Sequence, residues 1–246
     1  MKNIKEKISI IIPAHNEGNH IVASIKEIMR TFNEFGCDYE IVVIDDGSTD
    51  ETYEKIKELA ADFTNICAKR NRANFGKGRA LKKAFRYTAG DYIVFLDADL
   101  DLHPEQAQTL FDVLRDKNAD VVIGSKRHPE SKINYPFQRK FISNGYYYLI
   151  RLLFGLPVRD TQTGIKLFKR EVLEKVFPRV LIKRYAFDLE LLVNAHHLGY
   201  KIEEAPVRLD FQRITGRIKL IDIWHTLLDT LAVFYRMNII KYYDRI

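Results

Sequence analysis

Asp91-Tyr-Ile-Val-Phe-Leu-Asp97-Ala-Asp99 is the stretch on which the reading of this chain turns. A run of β-branched and aromatic residues without polar interruption suits a strand buried on both faces, and here it stops at two carboxylates. Three further runs are built alike: Ile8-Ser-Ile-Ile-Ile-Pro13, Tyr39-Glu-Ile-Val-Val-Ile44 and Ala119-Asp-Val-Val-Ile-Gly124. Between them, residues 17–35, 50–62, 76–89 and 104–117 carry apolar positions at helical spacing. Thr49-Asp50 and His103-Pro104 stand where helix starts are expected. The alternation predicts a doubly wound α/β unit, with a mostly parallel central sheet flanked by helices.

After Ser125 the pattern changes. Residues 137–154 read as one amphipathic helix ended by Gly155-Leu-Pro157. The polar loop Arg159-Asp-Thr-Gln-Thr-Gly164 feeds a short strand, Ile165-Lys-Leu-Phe168. A helix over 186–198, a strand over 201–209 and a last helix over 219–240 follow. With no internal repeat, low-complexity segment or Gly/Ser linker, a single domain over 1–246 is expected. Its parts are a ligand-binding half (1–125), a second half (126–220) and an amphipathic C-terminal helix (221–246).

The chain has 246 residues, 46% hydrophobic and 29% charged, a globular composition that leaves disorder and collagen-like repeats unsupported. No apolar run approaches the ~18–20 residues of a spanning helix. The first residues run straight into a strand without a signal-peptide core, and Cys37 and Cys67 lack metal-ligand spacing, so a reducing cytosol is expected. The net charge of +6 is unevenly spread. Residues 1–125 hold 17 basic against 21 acidic side chains, whereas 126–184 hold 14 against 4. Two binding tasks are implied rather than one diffuse surface. The basic stretch is interleaved with aromatics such as Tyr135, Phe137 and Tyr146–Tyr148. That mixture suits membrane headgroups, stacking on single-stranded nucleic acid, or a plain solvated face.

Asp45-Asp46-Gly-Ser-Thr-Asp50 follows directly on a buried strand. Carboxylates at the carboxyl end of a parallel strand face the ligand crevice, where they can accept hydrogen bonds from a base or ribose. As a turn-and-cap sequence alone it would be ordinary. Asp97-Ala-Asp99 ends the decisive strand, and residues two apart in extended chain face one way. Both carboxylates can then converge on Mg²⁺ or Mn²⁺, with phosphates and water completing the shell. A structural pair would be costly there, because adjacent anions repel. Asn74-Phe-Gly-Lys77-Gly78 opens a helix and can offer backbone N–H groups and Lys77 to a phosphate. It matches neither the Walker pattern nor the dinucleotide fingerprint, since Leu81 stands at the third glycine.

Taken in order, Pro13-Ala14-His-Asn16-Glu17, Asp45-Asp46, Asn74-Phe-Gly-Lys-Gly78 and Asp97-Ala-Asp99 resemble a family 2 glycosyltransferase of the GT-A fold. Asp160-Thr-Gln-Thr163-Gly164-Ile-Lys166, Phe187-Asp188-Leu-Glu190 and Arg213-Ile-Thr-Gly-Arg-Ile-Lys219 extend the likeness towards the polyprenyl-phosphate (dolichyl-phosphate glucose and mannose) synthases, over nearly the whole chain. The resemblance implies that Pro13, Ala14, Asn16, Glu17, Asp45 and Asp46 line the nucleotide pocket. It further implies Asp97 near ribose and diphosphate, Asp99 on the metal with Asp97 beside it, and Lys77 positioning the nucleotide loop. Arg127, Arg139, Thr163, Arg213 and Lys219 would face the acceptor phosphate or donor diphosphate. Glu190 would lie near the donor sugar, with Asp188 next to it. Ile218 replaces the serine usual in the tail motif, a departure at the last anion contact.

The implied reaction moves a hexose from a nucleoside diphosphate sugar, UDP-glucose before GDP-mannose, to an isoprenoid phosphate. A phosphate monoester has a second pKa of about 6 and needs no general base. What it needs is cationic positioning, which the 126–184 stretch supplies. The alternatives are a sugar hydroxyl acceptor, with Asp188 or Glu190 as base, and a non-enzymatic nucleic-acid module; no nucleic-acid partner is expected under the enzyme readings. An apolar acceptor tail calls for peripheral attachment to the cytoplasmic membrane face. Ile221, Trp224, Leu227, Leu228, Leu231, Phe234 and Tyr235 on the last helix are expected to form the attaching stripe, as are Tyr146, Leu149, Leu153 and Phe154 on the helix before. Packing of either stripe on the sheet, a second copy or a membrane partner is the other reading.

Overall fold

The decisive run folds as the centre of a sheet in the computed structural model, which describes residues 5–133, 137–184, 186–209 and 220–245, without the side chains of 137–144 and of Leu220. Strand β4 (Tyr92–Phe95) pairs in parallel with β1 (Ile8–Ala14), which pairs in parallel with β2 (Tyr39–Asp45) and so on to β3 (Ile66–Arg70). On the other side of β4 lies β7 (Lys166–Lys169), antiparallel to it, followed by β5 (Val121–Ser125) and β8 (Ile202–Pro206). The seven-stranded order is thus β3-β2-β1-β4-β7-β5-β8. A separate short pair joins β6 (Lys132–Ile133) to β9 (Arg208–Leu209).

Burial on both faces makes the strands near-continuously apolar. Ile10 and Ile12 of β1 point into one core layer and Ile11 into the other, as do Ile41 and Val43 against Val42 and Ile44 of β2. Each such buried side chain contributes about 1.5–3 kcal/mol. One layer is closed by α1 (Ile21–Phe35) and α4 (Ala107–Asp116). The other is closed by α3 (Lys77–Ala84), α6 (Arg170–Val176) and α7 (Phe187–His197), with Val233 and Tyr243 from the C-terminal segment. Three more helices are α2 (Thr52–Asp62), α5 (Phe137–Phe154) and α8 (Leu220–Phe234). Glycine ends α1: Gly36 takes φ 64° and returns its N–H to Asn33.

Several boundaries differ from the sequence reading. Helix α1 starts at Ile21 rather than residue 17; the Glu17 and Gly18 N–H groups ahead of it donate to Thr52 and Asp50. The expected 201–209 strand breaks at Val207, whose N–H donates to Ser131 Oγ and whose carbonyl receives Lys132 N–H. The last helix leaves α geometry at Phe234 and continues as a wider π turn over Tyr235–Ile239. Strand β3, too polar to read as buried, and helix α6 are additions. No helix among the described residues is long and apolar enough to cross a membrane.

Candidate active site

Loops from the carboxyl ends of β1, β2 and β4 gather at one edge of the sheet. After β1, Asn16 holds a left-handed φ of 58° and is knitted to the opposite turn. Its N–H donates to Ser48 Oγ and its Oδ1 accepts the Thr49 N–H, both near 3.0 Å. Pro13 and Ala14 close β1, and the Ala14 carbonyl accepts the Asp46 N–H.

Asp45 and Asp46 are both buried, and neither presents a free carboxylate to the crevice. Asp45 accepts the Ser48 N–H and pairs with Arg70 Nε at 3.0 Å. Asp46 accepts Asn71 Nδ2 at 2.7 Å and the N–H groups of Phe75 and Gly76 at 3.1 and 2.7 Å. Through these bonds Asp46 anchors the 74–78 loop.

That loop delivers Lys77 into the centre. Its ammonium lies 2.5 Å from Asp97 Oδ1. Burial works against the charge, yet Asp97, Asp188 and Asp99 outweigh it and hold Lys77 above the usual lysine range. Strand β4 stops at Phe95, so Asp97 and Asp99 share a turn closed by Leu100 N–H to the Asp97 carbonyl, not the extended chain expected. They remain electrostatically coupled. Burial first, then the charges of Asp97 and Asp101, raise the Asp99 carboxyl above its ordinary range. The Asp101 N–H bonds Asp99 Oδ1 at 3.1 Å. Three carboxylates, Asp97, Asp99 and Asp188, face two ammonium groups, Lys77 and Lys166, and the excess sits at Asp99. This donor set fits a divalent cation. Among the described residues no three ligating side chains form a ready-made cage, so a cation held there would need further ligands.

The second half closes the site through β7. Asp160 organises the incoming loop, accepting Lys126 N–H at 3.1 Å and the Thr163 hydroxyl at 2.7 Å. Thr163 was expected to face an anion; it is fully buried and its hydroxyl is spent on Asp160. Gly164 lies against Asp97, where an added Cβ would come within 2.2 Å of Oδ2. Lys166, almost wholly buried, pairs with Asp188 at 2.8 Å and donates to the Thr163 carbonyl at 2.5 Å. Asp188 is thereby ion-paired with a lysine inside the site. Arg127 stacks over the Tyr147 ring at 5.0 Å.

Glu190 departs furthest from expectation. It is fully buried and its carboxylate takes four donors: Leu181 and Ile182 N–H on Oε2, Arg236 and Tyr243 on Oε1. Arg213, Lys219 and the side chain of Arg139 lie outside the described residues. Sequence reasoning missed the roles of Lys166, Arg236 and Tyr243; the single signal was Lys166, a lysine inside an otherwise apolar strand.

The two amphipathic helices divide differently from the reading. On α8 and the π turn after it, Ile221, Trp224, Leu228, Leu231 and Tyr235 form one exposed stripe, but Phe234 turns inward onto Phe154. On α5, Phe154 is buried and Tyr146 hydrogen-bonds Thr230 at 3.0 Å, so the expected stripe packs inward while Tyr148 and Leu152 face out. Burial, with the charges of Asp188 and Asp229, pushes the Tyr146 phenol up to about 12.

Comparison with known proteins places the chain in a family. The model of glycosyl transferase family 2 matches residues 9–177. The chain is 32% identical to dolichyl-phosphate beta-glucosyltransferase ALG5A of Trichomonas vaginalis, over 97% of this chain and 76% of that protein. It is also 32% identical to the glycosyltransferase AglD of Haloferax volcanii, over 82% of this chain and 32% of that one. Among solved structures, glucosyl-3-phosphoglycerate synthase of Mycobacterium tuberculosis, in complex with Mn²⁺, UDP-glucose and phosphoglyceric acid, superposes with a TM-score of 0.68 at 21% identity, covering 94% and 79% of the chains. Mannosyl-3-phosphoglycerate synthase of Rubrobacter xylanophilus gives 0.69 at 18% identity, covering 95% and 74%. The shared architecture is the GT-A fold.

Proposed function

The chain belongs to glycosyl transferase family 2 and is like the dolichyl-phosphate sugar synthases, and from that premise we propose that it transfers glucose from UDP-glucose to a polyprenyl (dolichyl) phosphate. Being an enzyme of this family removes the nucleic-acid-module reading. The observation that carries the proposal is the turn in which Asp97 and Asp99 sit together opposite Lys77, at the carboxyl edge of a parallel sheet. Similarity to proteins named for glucose transfer to dolichyl phosphate supports the acceptor and the sugar.

The donor nucleotide lies along the loops at Pro13–Glu17 and Ser48–Asp50, with the 74–78 loop at its diphosphate. Asp97 and Asp99 would hold Mg²⁺ or Mn²⁺, whose Lewis acidity stabilises charge on the departing diphosphate. Lys77 is drawn between Asp97 and the diphosphate and offers it a fixed positive charge. Arg127, together with Arg139, Arg213 and Lys219, positions the acceptor phosphate for in-line attack on the anomeric carbon, which inverts it. The attacking oxygen belongs to a dianion and loses no proton. Two features favour this acceptor over a sugar hydroxyl: Asp188 is neutralised by Lys166, and Glu190 is enclosed by four donors. Neither is at liberty to act as a base.

The test is transfer from UDP-glucose to a short isoprenyl phosphate, run beside the corresponding free alcohol. Product with the phosphate alone is expected; product with the alcohol, or from GDP-mannose in preference, overturns the assignment. Membrane attachment is part of the same proposal: the α8 stripe lies on the cytoplasmic leaflet, near the acceptor's tail.

A further inference from the structure

Glu190 stands at a junction that neither the reaction nor simple packing requires. Its Oε2 accepts the N–H groups of Leu181 and Ile182 at 2.9 and 2.7 Å. Its Oε1 accepts Arg236 Nη2 at 2.9 Å and the Tyr243 hydroxyl at 2.6 Å. Arg236 Nε closes the triangle by donating to Tyr243 Oη at 2.9 Å. One carboxylate thereby ties the 181–184 segment to the chain's C-terminal turns. Burial and the Glu190 charge push Tyr243 above the usual phenol range, so it remains a donor.

The 181–184 segment in turn lies on the loop that carries Lys77. The Lys183 carbonyl accepts the Gly78 N–H at 3.0 Å, and Arg184 donates to the Asn74 carbonyl at 3.2 Å. The approach is close enough that a Cβ at Gly76 would meet the Lys183 carbonyl oxygen at 2.5 Å. On its far side the loop is held by Asp46 through the Phe75 and Gly76 N–H groups. The 74–78 loop is therefore gripped from the sheet by Asp46 and from the C-terminal segment by way of Glu190. A groove of about 460 Å³ runs beside this second grip, lined by Phe75, Leu181, Arg184, Leu228 and Arg236.

We propose that Glu190 is a positioning residue for the donor: it holds the 181–184 segment, and through it the 74–78 loop, in the conformation that accepts the donor diphosphate, which makes Arg236 and Tyr243 part of the donor site at second hand. This rests on the reading that the loop serves a nucleotide sugar. The charge is essential because all four contacts are donors. Glu190→Gln leaves one acceptor oxygen and turns an NH₂ group towards either the backbone pair or the Arg236–Tyr243 pair, so one arm of the junction fails whichever way the amide lies.

Hydrogen exchange and calorimetry on the full chain test it, using UDP-glucose with Mn²⁺ as the probe. The variants are Glu190→Gln, Tyr243→Phe, and Leu110→Ala in α4 on the opposite core layer as a control for lost stability. Glu190→Gln is expected to speed amide exchange at Gly76 and Gly78 and to weaken UDP-glucose binding roughly tenfold, as when a charge-assisted hydrogen bond is lost. Tyr243→Phe is expected to do the same to a lesser degree and serves if Glu190→Gln does not fold. Leu110→Ala is expected to lower the melting temperature without either effect. Wild-type exchange and affinity in a folded Glu190→Gln or Tyr243→Phe chain would overturn the proposal, as would equal loosening by Leu110→Ala. If the wild-type chain bound no nucleotide sugar, the functional reading would fail, while the exchange measurement would still decide the junction.

Discussion

Gly164 and Asp97 share a space that only one side chain can fill. With a Cβ at Gly164 falling 2.2 Å from Asp97 Oδ2, Gly164→Ala displaces the carboxylate rather than the backbone, since the atom met is the end of a side chain. The expected result is Mn²⁺ binding weakened about 10–100-fold, as for other losses of support around a ligand, with the melting temperature little changed. Isothermal titration of Mn²⁺ in the presence of UDP checks it, and unchanged affinity would dissociate Gly164 from the metal site. Asp99→Asn is the complementary change at the ligand itself. It is expected to remove metal-dependent stabilisation by UDP-glucose in a thermal-shift assay, and retained stabilisation would move the cation elsewhere. The sequence announces Asp97, Asp99 and Lys77 because their chemistry lies in short motifs. It marks Glu190 and Thr163 as polar residues in motifs but not what they bond: Arg236 and Tyr243 lie some fifty residues beyond Glu190, and Asp160 beside Thr163 reads equally well as a ligand.

Strands show the same division at the scale of elements. The runs at 8–14, 39–45 and 121–125 are legible because both faces are buried, whereas β3 sits at the sheet edge with a partly polar sequence and reads as loop. The strand at 166–169 is legible as a strand, but its reversed direction and its place between β4 and β5 depend on pairings that no local pattern encodes. Asp120, just before β5, shows how that placement is fixed: it accepts Lys169 Nζ at 2.7 Å and Lys201 N–H at 2.9 Å, bracing β5 against both neighbours. Burial pulls its pKa up, and the bonds from Lys169 and Lys201 outweigh this and leave it lowered. A lowered carboxyl stabilises the folded state above its unfolded pKa of about 3.9, and the benefit fades as pH falls through the folded value. Asp120→Asn is expected to cost about 1.5–3 kcal/mol at neutral pH. Urea unfolding should show the gap between the two proteins narrowing in acid; a gap independent of pH would refute the ion pair as its source.

At the scale of the molecule, the amphipathic stripe of α8 sets one side of the protein apart. Trp224, the only tryptophan in the chain, is 56% exposed within it. Burial of the stripe in phospholipid vesicles is expected to shift its emission to the blue. Leu228→Glu is expected to abolish the response. An emission spectrum indifferent to vesicles at low salt would remove the membrane from the account. The general architecture was open to sequence reading because strand and helix periods alternate cleanly through the first half. The facing of α5 was not, since an amphipathic helix shows the same stripe whether it meets lipid or protein.

The interpolation of β7 also bears on how the molecule comes into being. Its neighbour β4 ends at Phe95, and the residues that must lie beside it begin at Lys166. During synthesis β4 therefore waits with an open flank while some seventy further residues emerge, and the first half has no finished sheet of its own. A ribosome-tethered chain halted short of β7 is expected to be readily digested by protease, and one that also carries α7 and β8 clear of the ribosome to resist.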